Sequence, residues 1–298
     1  MENTIDLREE IRRLSIETKF SPRLLEKDYH LTRMLHKISE KQIKDLIFKG
    51  GTCLNKCYLG FYRLSEDLDF VYNQDVGNHS KAQTKKILDK LRRELIEILD
   101  SLGFETNKEL GKGWKMLTCQ ENPKIAGLEI ITKYTSLIED SLQTIKIEIS
   151  FRKKLIKPTR TKAIHHEFID SLGQPILKKD VEIEVIDLSE NFAEKFRALV
   201  TRKNIAIRDI YDIHFILKKN ILKINNEIIS LILVKINESK KETFTKENLI
   251  QFINDLNYRL SDLNEKEISS VLKSGERVDV SAMIKLITLS FQDLGGFS

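Results

Sequence analysis

The sequence predicts an α+β protein in which a mixed unit of strands and helices lies between helical segments at the two ends of the chain. Three observations support this fold class. Apolar residues recur at helical spacing in residues 1–40, alternate with polar residues in short segments of 41–187, and return to helical spacing in 188–298. We therefore predict N-terminal helices that pack on a core with a mixed sheet, followed by a helical C-terminal domain.

The elements are predicted in order from local signals. Ser21 followed by Pro22 is typical of a helix start, because serine caps free amides and proline fits the first turn. A short apolar strand at 46–48 ends at the glycine pair 50–51. Further strands are predicted near 68–71, 116–118, 128–133, 144–151 and 181–185, and further helices near 52–58, 79–102, 188–202, 207–217, 224–236, 245–260 and 280–289.

Composition and charge exclude several classes of protein. Of the 298 residues 41% are hydrophobic, yet no apolar run approaches the ~20 residues that a membrane span requires. The charged N-terminus lacks the apolar segment of a secretory signal, and three cysteines, an odd number, do not make a disulfide framework. The net charge of +5 permits a polyanionic partner without requiring one. We expect a cytoplasmic protein with no membrane association.

The glycine pair Gly50–Gly51 lies between a predicted strand and a predicted helix. Such a turn presents free backbone amides and a helix N-terminus at one point, which suits a phosphate group, and glycine lets the backbone approach closely. A tight strand-to-helix turn with no ligand explains the same residues equally well.

Two carboxylates follow on the next strand. Asp67 and Asp69 are two residues apart, so their side chains share one face of the strand. At ~6–7 Å they repel each other by roughly 2–3 kcal/mol at an effective dielectric constant of ~20. A divalent cation would offset that cost, whereas a solvated strand edge is the alternative. Glu148 alternates with buried isoleucines in 144–151 and would join the pair if its strand is a neighbour.

A basic run, RKKLIKPTRTK, directly follows the predicted strand of Glu148. It has no acidic residue, and its basic members are Arg152, Lys153, Lys154, Lys157, Arg160 and Lys162. Lysines and arginines that neutralise phosphates are the main source of nucleic-acid affinity. We predict that the run holds a nucleic acid at the edge of the site, and a solvated basic loop is the alternative.

Four motifs in order resemble those of DNA-polymerase-β-like nucleotidyltransferases. The motifs are KGGTCLNKCY at 49–58, RLSEDLDF at 63–70, EKFRALVTR at 194–202 and RDIYDI at 208–213. In this extended form they are similar to the AbiEii/AbiGii toxin family, which includes the MenT toxins. The segment EKDY at 26–29 also resembles a common N-terminal segment of that group.

The resemblance covers residues 20–220 and departs from the polymerase-β-like pattern at one point. Fourteen residues separate Thr52 from Asp67, which is longer than usual, so an extra turn near Gly60 is expected. Residues after 220 match no pattern that assigns them a role.

The resemblance implies roles for individual residues. Asp67, Asp69 and Glu148 would hold Mg²⁺, with Mn²⁺ as an alternative, and Glu148 would orient or deprotonate an attacking hydroxyl. Lys195 would neutralise the triphosphate, and Asp209 would lie in or beside the nucleotide pocket. Asp212 either belongs to that pocket or locks two helices together. The implied nucleotide-binding set is Gly50, Gly51, Thr52, Lys56, Arg63, Ser65, Arg202 and Asp212.

The function expected from the resemblance is transfer of a nucleoside monophosphate from an NTP to an acceptor hydroxyl, with release of pyrophosphate. The favoured acceptor is a tRNA 3′ end, and the implied partner is an antitoxin, since the family serves toxin–antitoxin and phage-defence systems. One alternative is a phosphotransferase that moves the γ-phosphate. Another is a catalytically silent nucleotide- or RNA-binding partner of an antitoxin, which the retained Asp67, Asp69 and Glu148 argue against.

Overall fold

The structure is a computed structural model that describes residues 6–76, 79–119, 122–151, 154–238, 240, 242–259 and 266–292. The chain divides into two compact units, one ending at Ile186 and the other beginning at Asp187. Over the described ranges, no helix combines the length and the apolar character needed to cross a membrane.

A mixed sheet organises the first unit. Its strands within the described ranges are β1 (Leu46–Lys49), β2 (Asp67–Tyr72), β3 (Trp114–Cys119), β4 (Asn122–Thr135), β5 (Leu142–Ser150), β6 (Arg160–Ala163) and β7 (Glu182–Val185). Their order across the sheet is β3-β4-β5-β2-β1-β7-β6. Strand β2 runs antiparallel to β1 and parallel to β5, so the predicted α+β class with a mixed sheet is confirmed.

Three of the four α-helices described in the first unit begin after a residue whose side chain caps them. The four are α1 (Leu7–Thr18), α2 (Pro22–Lys41), α3 (Gly50–Cys53) and α4 (Lys81–Ser101). The Leu24 amide donates to Oγ of Ser21 at 3.4 Å, and Pro22 occupies the first helical turn as predicted. Ser80 and Gln83 form a reciprocal capping box at the start of α4.

The alternation of β2 and β5 divides the sheet residues between two faces. Leu68 and Phe70 of β2 are fully buried, as are Ile145 and Ile149 of β5, and they share a hydrophobic core with apolar residues of α2 and α4. Burying these side chains is the main stabilising contribution, at about 1.5–3 kcal/mol each. The residues between them, including Asp69, therefore project from the opposite face of the sheet.

The second unit is helical in its described part. Its helices are α5 (Leu188–Thr201), α6 (Ile207–Lys218), α7 (Asn226–Asn237), α8 (Lys246–Asn254), α9 (Leu256–Arg259), α10 (Lys266–Ser269) and α11 (Val280–Gln292). The single helix predicted at 245–260 is instead broken at Asp255, because the Asp255 amide is shared between two carbonyls and the turn tightens. A buried ion pair links α5 and α7, since Lys235 Nζ lies 2.5 Å from Glu190 Oε1.

Candidate active site

The register of β2 and β5 brings carboxylates together on one face of the sheet. Asp69 is the direct neighbour of Glu148 across the parallel pair, and Asp67 lies two residues away on the same face. Glu148 is in turn opposite Glu129 on β4. Adjacent strands are about 4.8 Å apart, so these four side chains form one cluster. We call Asp67, Asp69, Glu129 and Glu148 the acidic face.

The glycine turn touches this acidic face. Gly50 has a φ of +79°, and a Cβ atom placed on it would lie only 2.5 Å from Oδ2 of Asp69. A larger residue would therefore be strained in its backbone and would collide with the carboxylate. Lys49, which precedes the turn, has no acceptor in its side chain to cap the first amides of α3. The turn thus presents backbone directly beside a candidate ligand, as a phosphate cradle requires.

Two more members of the predicted nucleotide-binding set lie around the second glycine. A Cβ atom on Gly51 would lie 2.5 Å from the Arg63 guanidinium and 3.4 Å from Oγ of Ser65. Arg63 is nearly fully buried and donates to the carbonyl of Leu64 at 2.9 Å. The structure therefore brings Gly51, Arg63 and Ser65 together.

The hydroxyl of Thr52 forms a hydrogen bond within the protein. Its side chain is buried, and Oγ1 donates a 2.5 Å hydrogen bond to the backbone carbonyl of Asp67. This bond ties the start of β2 to the glycine turn and so positions Asp67. The predicted contact between Thr52 and phosphate stays a prediction.

The extra turn expected near Gly60 is absorbed by a change of helix type. Helix α3 continues as a π-helix over Leu54–Leu59, which ends at Gly60 with a φ of +71°. The buried Asn55, with its amide nitrogen turned inward, donates to the carbonyls of Gly60 at 2.8 Å and Arg63 at 3.1 Å. The longer connection is thereby fixed by hydrogen bonds, and π-helical segments of this kind are common at functional sites.

Lys56 and the N-terminal EKDY segment are joined inside the first unit. Lys56 is fully buried, and its Nζ donates to Asp28 Oδ2 at 2.9 Å and to Thr32 Oγ1 at 2.8 Å. Glu26, also fully buried, accepts a 2.5 Å hydrogen bond from Oγ of Ser136 in the turn after β4. Lys56 thus has partners on α2, and its predicted nucleotide contact stays a prediction.

Two charged residues of this region were missed by sequence reasoning. Lys146 lies between carboxylates, with its Nζ 3.8 Å from both Asp67 Oδ2 and Glu148 Oε2. Glu129 is paired with Lys115 at 2.8 Å. Strand alternation already placed Lys146 on the face of Glu148, but the position of Glu129 depended on a strand register that no local signal reveals.

The carboxylates govern the electrostatics of Lys146. Partial burial acts to lower the pKa of its ammonium group, but attraction by Asp67, Glu148, Asp69 and Glu129 outweighs burial. The pKa of Lys146 therefore lies above the usual lysine value, and the residue is a cation at any physiological pH.

The donor set of the acidic face suits a hard divalent cation. Asp67 and Glu148 supply carboxylate oxygens, and their side chains are 35% and 30% exposed, so water and phosphate can reach them. Among the described residues, no three His, Cys, Asp or Glu side chains are already arranged around one metal position. The residues fit Mg²⁺, which keeps several waters and is commonly completed by substrate phosphates rather than by a full protein cage.

The predicted basic and acidic residues of the second unit form one ion cluster. Lys195 Nζ lies 2.7 Å from Asp209 Oδ1 and 2.8 Å from Asp212 Oδ2, and Arg202 also pairs with Asp209. Asp212 is fully buried, whereas the Arg202 side chain is 54% exposed. The cluster, which we call the helical ion cluster, joins α5 to α6, and Asp212 makes the helix-locking contact that sequence analysis offered as one of its two roles.

The basic run is partly an edge strand rather than a loop. Arg160 and Lys162 are exposed on β6, and the Nζ of Lys162 lies 5.4 Å from the ring centroid of Tyr58. Lys154 is exposed and Lys157 half-buried. Strand β6 is three strand spacings from β2, about 14 Å. Arg152 and Lys153, also predicted to bind nucleic acid, lie outside the described residues.

Comparison with known proteins finds a matching family model and a similar solved structure. The family model described as "Nucleotidyl transferase AbiEii toxin, Type IV TA system" matches residues 35–284. The crystal structure of JHP933 from Helicobacter pylori is similar, with a TM-score of 0.50, 16% sequence identity and coverage of 92% of each chain. At that identity the likeness concerns the fold alone. None of the curated proteins compared with the chain matches it.

Proposed function

This chain belongs to the AbiEii nucleotidyl transferase toxin family of type IV toxin–antitoxin systems, and on that premise we propose that it transfers a nucleoside monophosphate from an NTP to an acceptor hydroxyl. The observation that carries the proposal is the contact between the Gly50 turn and Asp69. It joins a backbone suited to phosphate with carboxylates suited to a metal ion, which are the two parts that phosphoryl chemistry needs side by side.

Asp67, Asp69 and Glu148 would hold Mg²⁺, or Mn²⁺ in its place. When bound, the cation would supply charge stabilisation to the attacking and leaving oxygens of an in-line displacement. The backbone at Gly50 and Gly51 approaches the phosphates closely because neither residue has a side chain. Glu148, half-exposed beside Asp69, accepts the proton of the acceptor hydroxyl and keeps that oxygen oriented.

The acceptor we favour is an RNA hydroxyl, with the tRNA 3′ end as the first candidate. The net charge of +5 and the exposed cations Lys154, Arg160 and Lys162 support a polyanionic acceptor. Membership of a toxin–antitoxin family implies a cognate antitoxin. The proposal places the reaction in the cytoplasm, where NTPs and tRNA are available, and a role in phage defence is part of it.

The test is incubation of the protein with each α-labelled NTP, total cellular RNA and Mg²⁺, followed by gel analysis. Label should enter RNA and pyrophosphate should be released. Asp69→Asn should lower transfer at least 100-fold, because it removes one ligand charge beside the glycine turn, without changing the melting temperature. Asp100→Asn, at an exposed position on α4, is the matched control and should retain transfer.

Other outcomes of the same assay would overturn the proposal. Release of α-labelled nucleoside diphosphate instead of pyrophosphate, with no α-label in the RNA, would indicate a phosphotransferase. Nucleotide binding without any transfer would indicate a silent partner of an antitoxin. Equal turnover by Asp69→Asn and the wild type in chelator-controlled buffer would remove the acidic face from the chemistry.

A further inference from the structure

Lys146 lies among carboxylates at contacts that are longer than hydrogen bonds. It is the register neighbour of Asp67 across the parallel pair of β2 and β5, and Glu148 follows two residues later on its own strand. Its Nζ lies 3.8 Å from an oxygen of each carboxylate, which is too long for a hydrogen bond. The ammonium group therefore sits between the two acids without being bonded tightly to either.

Other lysines of the first unit show how a fixed pair looks. Lys115 lies 2.8 Å from Glu129, and the buried Lys56 lies 2.9 Å from Asp28. Lys146 differs from both in distance, and unlike the buried Lys56 its side chain is partly exposed, at 37%. A half-exposed, loosely paired ion contributes at most about 1 kcal/mol to stability, so folding does not explain this position well.

We propose that Lys146 is an internal counter-cation of the acidic face, which holds the place of the divalent ion until a metal–nucleotide complex binds. The inference rests on the proposed function, because it assigns the metal ion to Asp67, Asp69 and Glu148. An ammonium group that lies between two ligands repels an incoming divalent ion and occupies part of its space. Four carbons of flexible stem allow the group to leave.

Nucleotide changes this balance because it brings phosphate charge. Once the triphosphate is present, the displaced ammonium group gains a new anionic partner next to the acidic face, and the metal ion gains phosphate oxygens. Lys146 thereby makes metal binding depend on nucleotide. Free metal should bind weakly to the wild type, and the metal–nucleotide complex should bind much more tightly.

The test measures Mn²⁺ binding by electron paramagnetic resonance, which reports free aqueous Mn²⁺ and needs no turnover. The full chain is titrated with Mn²⁺ alone and with Mn²⁺ plus the α,β-methylene analogue of each NTP. Lys146→Met should lower the Kd for Mn²⁺ alone at least tenfold. The same variant should leave the Kd for the Mn²⁺–analogue complex unchanged or raise it. A fall in the first Kd without a fall in the second distinguishes a place-holding cation from a charge that weakens the binding of every cation alike.

Matched variants make the result specific. Lys133→Met removes an exposed lysine of the adjacent strand whose register neighbour is Thr144 rather than a carboxylate, and it should change neither Kd by more than twofold. Lys146→Arg should behave like the wild type, and Lys146→Gln provides a second neutral variant if Lys146→Met folds poorly. Adding Asp69→Asn to Lys146→Met should abolish the gain in Mn²⁺ affinity.

The outcomes separate this inference from the proposed function. If neutral variants bind free Mn²⁺ as the wild type does, or if both affinities rise together, the counter-cation role is wrong even in an active enzyme. If the wild type binds the Mn²⁺–analogue complex and the variants split as expected but no transfer occurs, only the proposed function fails. If no Mn²⁺ binds under any condition, both are overturned.

Discussion

The acidic face of the first unit and the helical ion cluster of the second contain the same kinds of side chain in opposite states. Lys146 lies 3.8 Å from its acids and is 37% exposed, whereas Lys195 lies 2.7–2.8 Å from Asp209 and Asp212 and is 11% exposed. The first arrangement leaves charge open to a ligand. The second satisfies charge within the protein. Distance and exposure together therefore distinguish open charges from charges that are satisfied within the protein.

The same distinction applies within the first unit. Lys56 and Asp28 are a closed pair, with exposed fractions of 0% and 1%, although both belong to motifs that resemble a nucleotide site. Removing one member of such a pair leaves the other charge buried and unpaired, which typically costs 3–5 kcal/mol. Open charges can be removed at little cost to folding.

The largest expected effect comes from breaking the closed pair. Lys56→Met should lower the free energy of unfolding by about 3–5 kcal/mol, because it leaves the Asp28 carboxylate buried without its cation. Lys146→Met, the same substitution at an open position, should change it by no more than about 1 kcal/mol. Urea denaturation measures both. Similar losses for the two variants would show that exposure does not separate these lysines.

The helical ion cluster offers the sharpest challenge to the comparison, because the family resemblance gives Lys195 a triphosphate role. We expect Lys195→Ala to reduce kcat/KM at least 30-fold, about 2 kcal/mol in the barrier, when measured well below the melting temperature. Its melting temperature should also fall, since the fully buried Asp212 loses the Lys195 ammonium group, whose Nζ lies 2.8 Å from its Oδ2.

Asp212→Asn separates the two roles of this cluster. It weakens the same helix contact from the other side and should cost similar stability while retaining most activity per folded molecule. If Lys195→Ala is as active per folded molecule as Asp212→Asn, Lys195 belongs to the scaffold alone. The proposed catalytic residues would then be Asp67, Asp69 and Glu148 alone.

A third kind of group is a buried histidine, which the fold keeps neutral instead of pairing its charge. His30 is 9% exposed and packs against Tyr134 with ring centroids 4.2 Å apart, and within the described residues neither of its ring nitrogens has a hydrogen-bond partner. Burial, assisted by the nearby Arg33 charge, lowers its pKa to about 3. Its usual pKa of about 6.5 applies in the unfolded chain.

The sign of the pH effect follows from these values. Between about pH 6.5 and 3 the unfolded chain binds the proton and the folded protein does not, so stability falls as pH falls. At pH 5 the loss due to His30 is about 2 kcal/mol. His30→Phe should flatten the decline between pH 7 and 5, while the exposed His165→Phe should not. Equal slopes in the two variants would mean that His30 is protonated without unfolding.

Sequence reasoning reached the acidic face because strand alternation is local. Asp67 and Asp69 share a face by period alone, Glu148 was expected to join them if its strand is a neighbour, and the motif order identified the family. It did not reach the pairing of Lys56 with Asp28, since the two residues are 28 positions apart and meet only when α2 packs beside the glycine turn. Glu129 was missed for the same reason, because a strand register is set by the whole sheet.

The smallest expected effect concerns the exposed cations of the basic run, which are open charges like those of the acidic face. Lys154, Arg160 and Lys162 are exposed, and replacing all three with Gln should cost little stability. If each contacts a phosphate of the acceptor, the slope of log affinity for RNA against log salt should become shallower by roughly 2–3. A matched triple replacement of Lys85, Lys90 and Lys108, basic residues that are also exposed, controls for net charge and should leave most of the slope in place. Equal slopes for the two triple variants would show that Lys154, Arg160 and Lys162 are only solvated charges, because cations elsewhere on the surface would then contribute as much to RNA affinity.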